Sequence, residues 1–135
     1  MENKLIIIGE DIPVEMELFK SVLEKYDDFI LKGFDNGQDL YDYVITLKEM
    51  PSLIFLDVNM PRLSGLDTLY KLKETDIYCP IIMLSTSIEP RDVNKAYQYG
   101  CNSYLVKPIE YDEFDDMINK VLHYWIHINK LCYKD

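Results

Sequence analysis

Four short apolar runs along the chain each break into a polar group. Leu5-Ile6-Ile7-Ile8 passes through Gly9 into Glu10-Asp11, and Leu53-Ile54-Phe55-Leu56 ends in Asp57. Ile81-Ile82-Met83-Leu84 ends in Ser85-Thr86-Ser87, and Tyr104-Leu105-Val106 ends in Lys107-Pro108. Such runs, bounded by turn signals, predict buried strands with each polar group at a strand's C-terminal edge. Phe29-Ile30-Leu31-Lys32-Gly33 predicts a fifth short strand.

Between these runs the apolar period becomes helical. Pro13 suits a first helical position, and Val14, Leu18 and Val22 repeat at i, i+4, i+8 in a helix ending near Tyr26. Asp35-Asn36-Gly37 predicts a turn, followed by a helix with Leu40, Val44 and Leu47 on one face. A third helix is expected from about Leu66 to Thr75 with Leu66, Leu69 and Leu72 inward. A fourth runs from about Glu89 to Tyr99 and is capped by Gly100. The last covers roughly Asp112 to Leu131. Strands alternating with helices predict an α/β fold, a parallel sheet with helices on both faces. Five such units fill the 135 residues, so one domain over 1–135 with no output domain is expected. In a parallel sheet the four polar ends converge on one edge, where open α/β sheets place their sites.

The last predicted helix carries more apolar surface than one face needs. Phe114, Ile118, Val121, Trp125, Ile128 and Cys132 step by 4-3-4-3-4. Met117, Tyr124 and Leu131 flank one side, and Leu122 and Ile126 the other. About 20 residues make a helix of roughly 30 Å, against about 17–20 Å for a typical strand. Its end should therefore overhang the sheet. Two readings remain open: extra packing against neighbouring loops, or a surface for a partner or a homodimer.

The net charge of −10 argues against nucleic acid and anionic membrane as partners, since both would repel the chain. Cys79, Cys101 and Cys132 are odd in number and widely spaced, which predicts free thiols in a reducing compartment. The opening apolar run is too short for a signal segment or a membrane span, so a cytoplasmic location is expected. His123 and His127 have the spacing of a two-ligand metal site but no evident third ligand, and read as solvated surface.

The strand ends hold the chemistry. At an effective dielectric of 20, two carboxylates about 6 Å apart repel by roughly 3 kcal/mol. A cluster of Glu10, Asp11 and Asp57 therefore calls for a hard divalent cation, and Mg²⁺ takes a few carboxylates plus waters. Asp57 is the candidate nucleophile, since carboxylates form aspartyl-phosphates. Lys107 would supply a point charge to phosphoryl oxygens, and Ser85 a hydrogen bond.

With these motifs the chain resembles the receiver domain of two-component response regulators over nearly all its length. The resemblance rests on Gly9-Glu10-Asp11, Leu56-Asp57-Val58-Asn59-Met60-Pro61 with Gly65, Leu84-Ser85-Thr86, and Tyr104-Leu105-Val106-Lys107-Pro108. The Glu-Asp opening, Ser-Thr-Ser and the His-Tyr-Trp-Ile segment further resemble small single-domain regulators associated with phytochrome-type kinases, chemotaxis-regulator-like in form. The resemblance implies a flavodoxin-like fold with strand order 2-1-3-4-5. It implies that Asp57 accepts a phosphoryl group from a sensor histidine kinase or phosphotransfer protein. Asp11 would contact Mg²⁺ directly, Glu10 through water, Asn59 through its backbone carbonyl, and Asp57 would complete the metal site. Lys107 would pair with the phosphoryl group, its bond to Pro108 cis. Ser85 and Tyr104 would relay the change to the face of helix 4, strand 5 and helix 5, where an unidentified downstream protein would bind. The family usually has Thr where Ser85 stands. Serine keeps the hydrogen bond but loses the methyl that restricts its rotamer, which would loosen that relay.

Three rival readings fit the residues less well. A haloacid-dehalogenase-type phosphatase normally needs a second Asp two residues after the nucleophile, where this chain has Asn59, and it would need a cap domain. A flavodoxin-like cofactor binder needs a phosphate loop after the first strand, and Glu10-Asp11 would repel a phosphate. A degenerate receiver acting only as an interaction module is disfavoured because every chemical position is filled. The expectation is a signalling switch that acts only on its own phosphorylation, not an enzyme with a separate substrate.

Overall fold

A computed structural model describes residues 4–130. Five strands alternate with five α-helices: β1 Lys4–Gly9, α1 Pro13–Leu23, β2 Phe29–Phe34, α2 Gly37–Val44, β3 Leu53–Asp57, α3 Gly65–Lys73, β4 Ile81–Ser85, α4 Pro90–Gln98, β5 Ser103–Val106 and α5 Tyr111–Leu122. All pairings are parallel, in the order β2-β1-β3-β4-β5.

Alternate strand residues feed opposite layers, as the two-residue period of a strand requires. Ile7, Ile54, Leu56, Ile81 and Met83 pack with Leu40 and Val44 of α2, Leu69 and Leu72 of α3, and Ala96 of α4. Ile6, Ile8, Phe55, Ile82 and Leu84 pack with Phe19 and Val22 of α1 and Phe114 and Ile118 of α5. β3 and β4 are buried throughout, which is why they read as unbroken apolar runs.

The helix starts follow local chemistry. Asn36 Oδ1 accepts from Asp39 N at 2.8 Å to open α2, and Ser64 Oγ accepts from Asp67 N at 3.1 Å to open α3. Gly100, at φ +97°, ends α4 in the left-handed conformation that glycine adopts without strain.

Three sequence expectations change. The buried face of α1 is Phe19, Val22 and Leu23, while Val14 is exposed. The Phe19 ring meets Phe55 at 5.1 Å and Phe114 at 5.6 Å, and that aromatic cluster turns the helix away from the Val14 stripe. α2 stops at Val44, so Leu47 reaches the core from the following turn.

The last helix is not one continuous α-helix. Its buried stripe is Phe114, Ile118 and Leu122, and a π-helical segment follows from His123 to Ile128. The wider π turn brings both Trp125 and Ile126 against the α1-side core and leaves Ile128 61% exposed. Extra packing thus accounts for Trp125. Leu131 and Cys132 lie outside the described residues. No described helix is long and apolar enough to cross a membrane.

Candidate functional site

Strand register brings the polar ends together. Gly9 lies beside Leu56, so Glu10 falls next to Asp57, the last residue of β3. Asp57 pairs with Leu84 and Ser85 with Val106, which puts Ser85 and Lys107 on the same edge.

Lys107 is the centre of the site. Its Nζ donates to Glu10 Oε2 at 2.8 Å, to Asp57 Oδ2 at 2.8 Å and to Glu15 Oε2 at 3.0 Å. An ammonium has three donors, so its capacity is filled by carboxylates. Glu10, Asp57 and Lys107 are buried, at 1%, 4% and 6% exposure. The repulsion expected among the acidic residues is therefore partly neutralised by a cation between them. Burial alone would lower the Lys107 pKa, but hydrogen bonds and charge from Asp57 and Glu10 outweigh it and raise it. Glu10 is pushed up to about 8, chiefly by burial and further by the Asp57 charge, against the opposing pull of Lys107.

The backbone completes the pocket. Asp57 Oδ1 accepts from Asn59 N at 3.1 Å, and Glu10 Oε1 accepts from Ile12 N at 3.2 Å. Gly65 lies so close that a Cβ there would overlap the Asp57 carbonyl oxygen. Glu10, Asp11 and Asp57 offer carboxylate oxygens that all lie within 4.8 Å of one another, a donor set that fits a hard divalent cation. Asp11 is exposed and faces solvent access, as does Asn59.

Ser85 is on the same edge but makes no hydrogen bond to this cluster. It is fully buried, and its Oγ accepts from Ser87 N at 2.9 Å. Tyr104 is half-buried, and its hydroxyl donates to the Ser87 carbonyl at 3.0 Å. Ser87 Oγ in turn donates to Asp92 Oδ2 at 2.8 Å and accepts from Glu89 N at 3.2 Å. The β4–α4 loop is thus tied to strand β5 and to the first turn of α4.

Contrary to expectation, no described peptide bond is cis. Lys107 reaches its carboxylates with a trans bond to Pro108. Sequence reasoning missed Glu15. It stands in the first turn of α1, where an acidic residue already has a reason to be as a partner of the helix dipole. Nothing in its spacing separates that role from contact with Lys107.

The remaining candidates stay apart. His123 and His127 are exposed, with ring centres 5.6 Å apart, and join no metal-ligating cluster among the described residues. Cys79 and Cys101 are free, and burial pushes their thiols up to about 12 and about 11.

The response regulator receiver domain family matches residues 6–119. Chemotaxis protein CheY of Bacillus subtilis (strain 168) is 28% identical over 123 residues, covering 91% of this chain and 100% of CheY. Nitrate/nitrite response regulator protein NarL of Escherichia coli (strain K12) is 32% identical over 123 residues, covering 90% of this chain and 54% of NarL. The chain spans about half the length of the first curated relatives it matches. The crystal structure of the phosphorylated cyanobacterial phytochrome response regulator RcpA superposes with a TM-score of 0.91 at 22% identity, covering 97% of this chain and 99% of RcpA. The Mn²⁺-bound form of response regulator Rcp1 gives 0.88 at 25% identity, covering 96% of this chain and 99% of Rcp1. The parallel α/β fold, the convergent strand ends and these matches together make the chain a member of the receiver domain family of two-component response regulators, a family of signalling switches.

Proposed function

We propose that Asp57 accepts a phosphoryl group from the phosphohistidine of a sensor histidine kinase or phosphotransfer protein, with Mg²⁺ as cofactor. The observation that carries this reading is the buried Lys107 ammonium, 2.8 Å from both Asp57 and Glu10. A buried cation aimed at a strand-end carboxylate is placed to stabilise negative charge arriving there.

In the transfer, an Asp57 oxygen forms the bond to phosphorus while the phosphorus–nitrogen bond of the donor breaks, its electron pair leaving on the imidazole nitrogen. Glu10, Asp11, Asp57 and the Asn59 carbonyl would hold Mg²⁺, which when bound offsets charge on the phosphoryl oxygens. Rcp1 takes a Mn²⁺-bound form, which supports a divalent metal for this chain as well. Lys107 binds a phosphoryl oxygen. Ser85 gives up its bond to Ser87 N and donates its hydroxyl to another. Tyr104 leaves the Ser87 carbonyl and turns inward, which alters the surface of α4, β5 and α5 offered to a downstream protein. Hydrolysis of the acyl phosphate returns the carboxylate and resets the switch.

That a receiver domain of this size can act by itself is supported by CheY, which is matched over its whole length. Self-association through the C-terminal helix would be one form of the output, with exposed Ile128 as its candidate contact. The test of the central claim is phosphorylation by acetyl phosphate with Mg²⁺, followed by mass spectrometry. The wild type should gain one phosphoryl group that is labile at alkaline pH, and Asp57→Asn should gain none. Labelling of the variant at the wild-type rate would reject Asp57 as the acceptor.

A further inference from the structure

Lys107 has one carboxylate partner more than phosphoryl acceptance requires. Glu10 and Asp57 belong to the oxygen cluster that fits a divalent cation, and Glu15 does not. Yet Glu15 Oε2 lies 3.0 Å from Lys107 Nζ and takes its third donor. The contact joins residues 92 positions apart, across the gap between α1 and the end of β5. It is held from both sides: Pro13 opens the helix and the Ile12 N–H is tied to Glu10, which sets the first turn of α1 against the site.

A phosphoryl group on Asp57 needs a donor from the same ammonium. Phosphorylation takes the charge from the Asp57 oxygen and frees one of the three N–H groups, but any further donor to the dianionic group has to come from Glu10 or Glu15. The Glu10 side chain is fully buried, so no water can replace the hydrogen bond it would lose, which is costly. The Glu15 side chain is 16% exposed, at the rim of the site, so water can solvate it once released. Its negative charge also opposes a dianionic phosphoryl group nearby.

The geometry points to Glu15 as a positioning residue that holds Lys107 in the resting state and competes with the phosphoryl group for it. Glu15 thereby sets how tightly the site takes a phosphoryl group. This rests on the reading of Asp57 as acceptor, and it assigns to this chain a built-in brake on that reaction.

The test is titration of the whole chain with beryllofluoride, a phosphoryl mimic, at saturating Mg²⁺, followed by calorimetry. Glu15→Gln, which keeps the side-chain size and removes the charge, should bind the mimic about fivefold to tenfold more tightly than wild type, as expected for removing one nearby like charge. Glu17→Gln is the control. It removes the same charge two residues further along the helix, on a side chain that is 73% exposed and paired with Lys20, not Lys107. Its affinity should match wild type. A role in merely shaping the site predicts weaker binding by Glu15→Gln. Unchanged or weaker binding by that variant, or an equal gain in Glu17→Gln, would overturn the assignment. Failure of the wild type itself to bind beryllofluoride would instead strike the acceptor reading on which it rests.

Discussion

The Tyr104 hydroxyl donates to the Ser87 carbonyl at 3.0 Å, while the Ser87 N–H donates to Ser85 Oγ at 2.9 Å. Through Ser87, the aromatic ring on β5 and the buried hydroxyl at the end of β4 hold one loop between them. Tyr104→Phe keeps the ring and removes one of these bonds. It should cost about 1 kcal/mol of stability and speed amide exchange in residues 86–89 about fivefold if local opening carries the loss. Unchanged exchange there would mean the hydroxyl does not brace the loop.

The raised proton affinity of Glu10 gives a pH signature. Its carboxyl titrates at about 8 in the folded protein against 4.5 ordinarily. The folded state thus keeps a proton that the unfolded chain has lost. This contribution is complete below about pH 4.5 and is lost as pH rises toward 8. Urea midpoints of the metal-free protein should fall across this window, by up to about 5 kcal/mol in stability. Glu10→Gln should flatten the profile. Millimolar Mg²⁺ competes with the proton, so it should stabilise the wild type more at pH 8 than at pH 5, beyond matched monovalent salt.

Lys107→Met leaves the Asp57 and Glu15 carboxylates and the Glu10 carboxyl group facing one another without a cation. Removing one partner of a buried ion cluster should cost roughly 3 kcal/mol. The double variant with Asp57→Asn should recover part of that loss, because one of the opposed charges is gone. Equal stability of the single and double variants, measured by denaturant unfolding, would contradict the charge argument.

Gly65→Ala tests the close approach behind the acceptor. The added methyl would meet the Asp57 carbonyl and the Val58 backbone, neither of which is a flexible side-chain end. A cost of about 1–3 kcal/mol is expected, together with weaker Mg²⁺ binding as the Asp57 backbone shifts. Wild-type stability and metal affinity would show that the loop relaxes freely.

The strand ends were readable because parallel strands buried on both faces leave little choice of residue, and a carboxylate or lysine after such a run is conspicuous. The face of α1 was readable only in part. Of the stripe Val14, Leu18 and Val22, the last two do reach the core, and only the distant rings of Phe55 and Phe114 decide that Phe19 and Leu23 join them while Val14 stays exposed. The π segment after Leu122 escaped because a one-residue slip in hydrogen bonding leaves no mark in composition. Glu15 escaped because the partner it meets, Lys107, is distant in sequence and the contact exists only once α1 and β5 are assembled.

Those separations bear on when the site exists at all. Lys107 reaches partners 97, 92 and 50 positions away, and it follows a four-residue strand at the edge of the sheet. Such an edge is the kind of unit that frays before the centre of a domain does. Each excursion of β5 would carry the only buried cation of the described acidic cluster away from Asp57 while β1 and β3 stay paired. On heating, acceptor competence should therefore fade before the global melting transition, and during synthesis it should arise only after the end of β5 has joined the sheet, well after the carboxylates that β1 and β3 position.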